Sequence, residues 1–235
     1  MDWNTEKGGT WYLERTDTKG LPSPIVDQEL INRQYDRASR YLVNNTIAWV
    51  DFVAGKLRPP QLRRSGPMLT PPSTGEDALV GQFNSFGVLQ LTDPSKAFII
   101  SVKKAEEARY QGIQLGDLWF NSLDYARRQT SLTMAQAEAS GDDDWYHFVV
   151  SHQDPRVANW LDPAGVTSIV VFLRWQGMGN LTVFPAPDYP TVKEVDFDSI
   201  RNEPPFSEQS AFGPRKRKDQ LALHQKAGLT KPRGF

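Results

Sequence analysis

The chain carries two hydrophobic periods, and they divide it. Between Asp27 and Gly55 the spacing is helical: Leu30, Tyr35, Ala38 and Leu42 fall on one face, and Ile47, Trp49, Val50 and Val53 resume the apolar pattern. Asp27 stands where an N-cap belongs, after Leu21-Pro22-Ser23-Pro24 has ended a short strand read at Thr10 to Arg15. The segment is one long helix, or two if Asn44-Asn45 interrupts it, and its aromatic stripe is expected to pack.

Downstream the period falls to two. Phe86, Val88 and Gln90 alternate with Gly87, Leu89 and Leu91, and Asp93-Pro94-Ser95 turns the chain into a return strand over Ala97 to Val102. Further strands are predicted over Gln111 to Phe120, with Ile113, Leu115 and Trp119 sharing a face, and over Trp145 to Ser151. Ser131 to Ala139 reads as a helical turn capped by Ser131 or Thr133. Thr167 to Gln176 is the most apolar stretch, with Ile169, Val171, Leu173 and Trp175 on one face and Val170 and Phe172 on the other. Such a strand belongs in the middle of a sheet that is covered twice. Short strands joined by turns, with few helices between them, predict a mainly β fold with peripheral helices: an antiparallel β-sandwich or jelly-roll-like domain.

Regular structure is broken in two places. Lys56 to Asp77 holds five prolines and two glycines together with Arg58, Arg63 and Arg64. A connection of that length wraps a partner, covers a site or is mobile. After Gly177, Pro185, Pro187, Pro190 and Pro204-Pro205 predict irregular chain up to a last helix between Pro214 and Gly228, a solvated tail helix with the basic run Arg215 to Lys218 in its first turn. Three parts follow: residues 1–77 (strand, helical segment, proline-rich loop), 78–184 (sandwich) and 185–235 (proline-rich extension and basic helix).

Composition narrows the function. With 27 basic against 28 acidic residues there is no positive excess to argue for nucleic acid. The absence of cysteine excludes a disulfide framework and a thiolate nucleophile. No run approaches a membrane span, and Met1 to Lys7 lacks the apolar core of a secretory signal, so a cytoplasmic location is expected. His147 and His152 are five apart in an extended stretch and point to opposite faces, which makes them poor joint metal ligands. Asp142-Asp143-Asp144 lacks the later oxygens and the glycine of a calcium loop, and reads as a hairpin tip. Gly177-Met178-Gly179-Asn180 lacks the third glycine of a phosphate loop. No metal or cofactor is expected.

What remains is Arg174, on the same face as Val170 and Phe172 of a strand expected to be buried. A guanidinium there must find a carboxylate or open into a wet pocket. Asp162 and Asp124 are the candidate partners. They give either a structural ion pair or an anion clamp at the mouth of the sandwich, walled by Trp160, Trp119 and Tyr125 with His152 and Arg128 as accessories. Asn159, in the polar turn leading into the strand, completes the candidate set.

At these residues a resemblance emerges. Asp154-Pro155-Arg156-Val157-Ala158-Asn159-Trp160-Leu161-Asp162-Pro163-Ala164-Gly165, followed by Arg174-Trp175, resembles the C-terminal signature of the bacterial domain of unknown function 1214 family. Tyr110 to Trp119, Ser122-Leu123-Asp124-Tyr125 and Arg128-Gln129-Thr130-Ser131-Leu132 fit its preceding strands, so the likeness runs from Gly87 to Trp175. Arg156 stands where that family usually has glycine and Pro163 where it has threonine, which puts in doubt any ligand pose borrowed from relatives. Asp2 to Arg15 is similar to a passage midway along longer members. The resemblance therefore implies a chain matching their C-terminal half, with an apolar surface covered by a second copy or by a separate subunit resembling their N-terminal half. It implies a β-sandwich and no activity.

Two functions stay open. One is a non-catalytic binding or assembly module, holding a small, partly apolar ligand or a partner subunit between the sheets and the proline-rich loop. The other is an enzyme on a carbonyl or carboxylate substrate, with Arg174 as clamp and His152 or Asp162 as base.

Overall fold

The structure, a computed structural model, describes residues 16–17, 19–22, 26–52, 68–74, 79, 81–139, 144–179, 181, 183–203, 218–219, 221–223 and 226. The strand read at Thr10 to Arg15, most of the loop from Lys56 to Asp77, Asp142-Asp143, Asn180, Pro204-Pro205 and Arg215 to Arg217 lie outside them. Of the last helix, residues 218–219, 221–223 and 226 are helical. The chain divides into two compact units, Met1–Ile47 and Ala48–Phe235.

In the first unit the Asp27 carboxylate accepts the N–H of Leu30 at 2.7 Å and opens α1 (Gln28–Phe52). The helix runs through Asn44-Asn45 without a break, and within it Thr46 turns its hydroxyl back onto the Leu42 carbonyl at 2.8 Å. No residue of α1 is buried, and Tyr35, Tyr41 and Leu42 are 71%, 72% and 67% exposed. Among the described residues, the expected packing of the stripe is made by the last turn, in the second unit, where Trp49 and Phe52 meet Phe120 at ring separations of 6.0 and 5.4 Å.

The second unit is the β-sandwich that the period-two pattern predicts. Its strands are β1 (Phe83–Gln90), β2 (Lys96–Lys103), β3 (Tyr110–Gly116), β4 (Ser131–Thr133), β5 (Trp145–Val150), β6 (Trp160–Leu161), β7 (Ser168–Gln176) and β8 (Thr191–Asp196). One sheet has the order β1-β7-β3-β4 and the other β6-β5-β2-β8; every pairing is antiparallel except β5 with β6. Inward residues of both sheets form one core: Phe83 and Leu89 of β1, Ile113 and Leu115 of β3, and Ile169, Val171, Leu173 and Trp175 of β7 meet Phe98 and Ile100 of β2 and Phe148 and Val150 of β5. β7 lies between β1 and β3, the interior position its composition demands.

Residues 69–73 run along the free edge of β1. Ser73 exchanges both backbone bonds with Asn84 (3.0 and 2.9 Å), and Thr70 donates its N–H to Phe86 O and accepts the Phe86 N–H on its hydroxyl. The approach is so close that a Cβ on Gly87 would stand 2.3 Å from the Met68 carbonyl oxygen, which is why this strand position holds glycine.

Three sequence expectations are corrected. β3 ends at Gly116 rather than Phe120, because the Asp117 carboxylate captures the N–H groups of Trp119 (2.8 Å) and Asn121 (2.9 Å) and folds the chain into a loop. Ser131 to Thr133 is a strand and not a helical start. Thr133 then opens a single turn, with Gln136 and Ala137 both donating to its carbonyl at 2.9 Å and the Gln136 side chain accepting its N–H. Finally, the stretch after Pro190, read as irregular, pairs as β8 along β2.

Candidate functional site

The turn before β7 is built around Asp162, a buried carboxylate. Its Oδ1 accepts the N–H of Ala164 and its Oδ2 accepts Arg128 Nη1, both at 2.8 Å, while its own N–H donates to the Gln129 carbonyl. Ala164 (φ 55°) and Gly165 (φ 84°) both have positive φ, as a tight I′-type reversal requires, and Val166 closes it by donating to Pro163 O. A partly exposed guanidinium against a buried carboxylate holds this turn onto the loop after β3.

Asn159, 3% exposed, works as a piece of strand. Its Oδ1 accepts the N–H of Glu138 (2.8 Å), and its Nδ2 donates to the carbonyls of Glu138 (2.7 Å) and His147 (3.1 Å). Trp160 donates Nε1 to Ser151 O and packs on the outer side of the second sheet. Gln129 binds the Ala158 and Trp160 carbonyls through Nε2, leaving its buried Oε1 without a partner. Arg128, Asn159, Trp160 and Asp162 are thus brought together, and the polar contacts described for them are with the protein itself.

Arg174 is elsewhere. Its register opposite Asn84 and Gly112 places it on the outer face of the first sheet, partly exposed. There Nε donates to Asn84 Oδ1 at 3.2 Å and the guanidinium lies 4.9 Å from the centre of the Phe172 ring. The parity read from sequence, Arg174 with Phe172, is the one observed. The proposed carboxylates serve other cations: Asp162 pairs with Arg128, and Asp124 lies 3.4 Å from Arg127 Nη1. His152 donates Nε2–H to Leu91 O at 2.9 Å, since a carbonyl can only accept. Trp119 and Tyr125 are 55% and 47% exposed on their loops rather than walls of a mouth. The arginine and the two candidate bases are therefore held by three separate sets of partners.

Around Arg174 the outer face carries an aromatic layer. Phe172 stacks on Phe86 (6.4 Å, 17°) and meets Phe120 edge-on (5.8 Å, 73°), and Phe52 joins both Phe86 and Phe120. Phe120 holds φ at 61°, rare for a bulky side chain. The Asp117 loop fixes it there: Phe120 donates to Asp117 O, and the carboxylate also takes Asn121 Nδ2 at 2.9 Å. Partial burial pushes the Asp117 carboxyl up, but the hydrogen bonds from Asn121 and Trp119 outweigh it and hold it below the usual carboxylate range.

Two features escaped the sequence reading. Ser101 and His147 face each other across β2 and β5 with Oγ and Nδ1 2.8 Å apart, a pairing that only the register reveals. Both sit in mid-strand, where neighbouring N–H groups lie in the sheet plane rather than towards the hydroxyl, so the pair has no oxyanion cradle. The second is a cleft of about 230 Å³ between Asp154-Pro155-Arg156 and Phe197, Asp198, Ile200 and Arg201. It contains none of the nine candidate residues.

The chain matches no protein-family model, and no curated protein matches it. Among solved structures it is similar to an uncharacterised protein from Burkholderia cenocepacia, at 22% identity and a TM-score of 0.67 over 85% of this chain and 52% of that one. A second match, the VPA0106 protein from Vibrio parahaemolyticus, has 13% identity and a TM-score of 0.35 over 62% of this chain and 34% of the other, and carries no argument. The chain thus spans about half the length of the Burkholderia protein, and at this identity the likeness establishes a shared sandwich fold and nothing of its chemistry.

Proposed function

We propose that the chain is a binding or assembly module of the domain of unknown function 1214 family, working in the cytoplasm, whose α1 is covered by another polypeptide. That polypeptide is a second copy or a separate subunit resembling the N-terminal half of longer members. The reading rests on one observation: a 25-residue helix without a buried residue, from which Tyr35 and Leu42 project on one side, more than half exposed. A helix within a protein draws most of its stability from packing an apolar face, and an uncovered apolar face marks an interface. The ligand role assigned to Arg174 belongs to the same proposal, with the aromatic layer beside it as the apolar wall. Among the described residues no helix is long and apolar enough to cross a membrane, so a bilayer-spanning role for α1 has no support.

Native mass spectrometry of the full chain, purified from its own host, tests this. A dimer or a bound subunit is expected, and Leu42→Glu should dissociate it while leaving the β-sheet circular dichroism intact. A monomer at micromolar concentration, unchanged by Leu42→Glu, overturns it.

A further inference from the structure

We propose that the polypeptide covering α1 is a second copy of α1 itself, lying parallel and in register along a stripe from Ile31 to Asn45. This deepens the reading above and rests on it. Ile31, Tyr35, Ala38, Leu42 and Asn45 recur at alternating steps of four and three residues, the a and d positions of a heptad. At about 3.6 residues per turn they fall within an arc of about 80°. The charged residues of the helix, Glu29, Arg33, Asp36, Arg37, Arg40 and Asp51, fall within an arc of about 100° centred on the opposite side. Of the apolar residues, Ile47 alone lies inside that charged arc. The charges pair within the helix: Arg33 meets Glu29 at 2.9 Å and Arg40 meets Asp36 at 4.0 Å, each one turn along. The charged side is thus the side for water, and the stripe is the side left to pack.

Two features select an identical helix. The positions flanking the stripe, Asn32, Gln34, Ser39, Tyr41 and Thr46, carry no charge. Flanking charges set partner choice and direction between paired helices, and here none rejects a copy or calls for a complementary partner. With Arg33, Arg37 and Arg40 balanced by Glu29, Asp36 and Asp51, the helix brings no net charge to the pair. Asn45 then fixes the direction. It is the one polar member of the stripe, and in a parallel, in-register pair it meets the other Asn45, each amide donating to its partner's carbonyl oxygen. A shifted or reversed pair sets it against apolar neighbours and leaves the amide unmet. The free seam is short, about 21 Å at about 1.5 Å per residue, because Trp49, next along the stripe, is engaged by Phe120. Association is therefore expected to be reversible.

The chain has no cysteine, so single introduced thiols report the pairing directly. The full chain, expressed alone, should sediment as a reversible dimer at micromolar concentration. Under mild oxidation Ile31→Cys and Leu42→Cys should each form a disulfide-linked dimer at least about tenfold faster than Ile47→Cys, whose position lies among the charges. Asn45→Leu should tighten the dimer and, added to Ile31→Cys, slow its cross-linking, because the register is no longer fixed. Equal rates at the three positions, or a dimer that Ile31→Cys does not link, overturn the proposal. A chain that is monomeric alone, yet carries a different subunit from its own host that Leu42→Glu releases, overturns the second copy and leaves the covered helix standing. A monomer both alone and from its host ends both readings.

Discussion

The two sheets share one core but finish their outer faces by different means. On the β6-β5-β2-β8 sheet, Ala97, Ile99, Val149 and Val195 are sealed by the chain's own Val157, Ile200, Phe197 and Trp160, mostly aliphatic contacts close in space. The β1-β7-β3-β4 sheet turns Phe86 and Phe172 outward, under Phe120 in a left-handed backbone and the end of α1. The first face is closed by a hydrogen-bonded segment, anchored through Asn159. The second is closed by rings and a partly exposed cation. The two faces should respond differently to the same kind of cut.

The largest effect is expected at Asn159. Asn159→Ala removes three part-buried side-chain bonds, from the Glu138 N–H and to the Glu138 and His147 carbonyls. At about 1–3 kcal/mol for each unsatisfied group, with partial relaxation, a loss of about 3 kcal/mol in urea denaturation is expected. A loss below about 1 kcal/mol would mean that water replaces the amide and the bracket is dispensable.

Arg174→Ala should cost about 1–2 kcal/mol, the range of a partly exposed cation–π contact with one long hydrogen bond from a charged donor. A cost of several kcal/mol would instead indicate a desolvated ion pair on this face.

The smallest effect is a pH dependence. Asp117 is lower in the folded chain than in the unfolded one, so its contribution is complete above the unfolded value and is lost as pH falls through the folded one. Stability carried by the Phe120 loop should therefore fade below about pH 4. Asp117→Asn, which keeps one acceptor, should flatten that part of the acid limb. An unchanged limb in the variant would show that the carboxylate charge plays no part in holding Phe120.

The contrast between the faces also explains what could be read in advance. β1, β2, β5 and β7 were legible because their alternation runs for six to nine residues with one face mostly apolar. β4, at three residues, is too short to show a period, and Thr133 with Gln136 carries a genuine capping signal that belongs to one turn only. β8 is an edge strand with Lys193 and Glu194 facing solvent, so its pattern is diluted by the charges that keep such edges from pairing. For the candidate set, pleat parity put Arg174 beside Phe172, but nothing local could say that Asp162 would be claimed by Arg128, 34 residues earlier. Polar partnerships of that kind are made by loops, and loops carry no period. Nor does any spacing rule foretell that residues 154–156 and 197–201 share a cleft.

The strand-like segment 69–73 has a consequence for how this molecule meets others. By occupying the hydrogen-bonding groups of β1 from Asn84 to Phe86, it denies incoming chains a template to lengthen the sheet. Fibrous growth along that border is thereby closed. Whatever joins the protein along that border must do so through the shapes and charges of its side chains, and these, unlike a bare peptide rim, can tell one visitor from another.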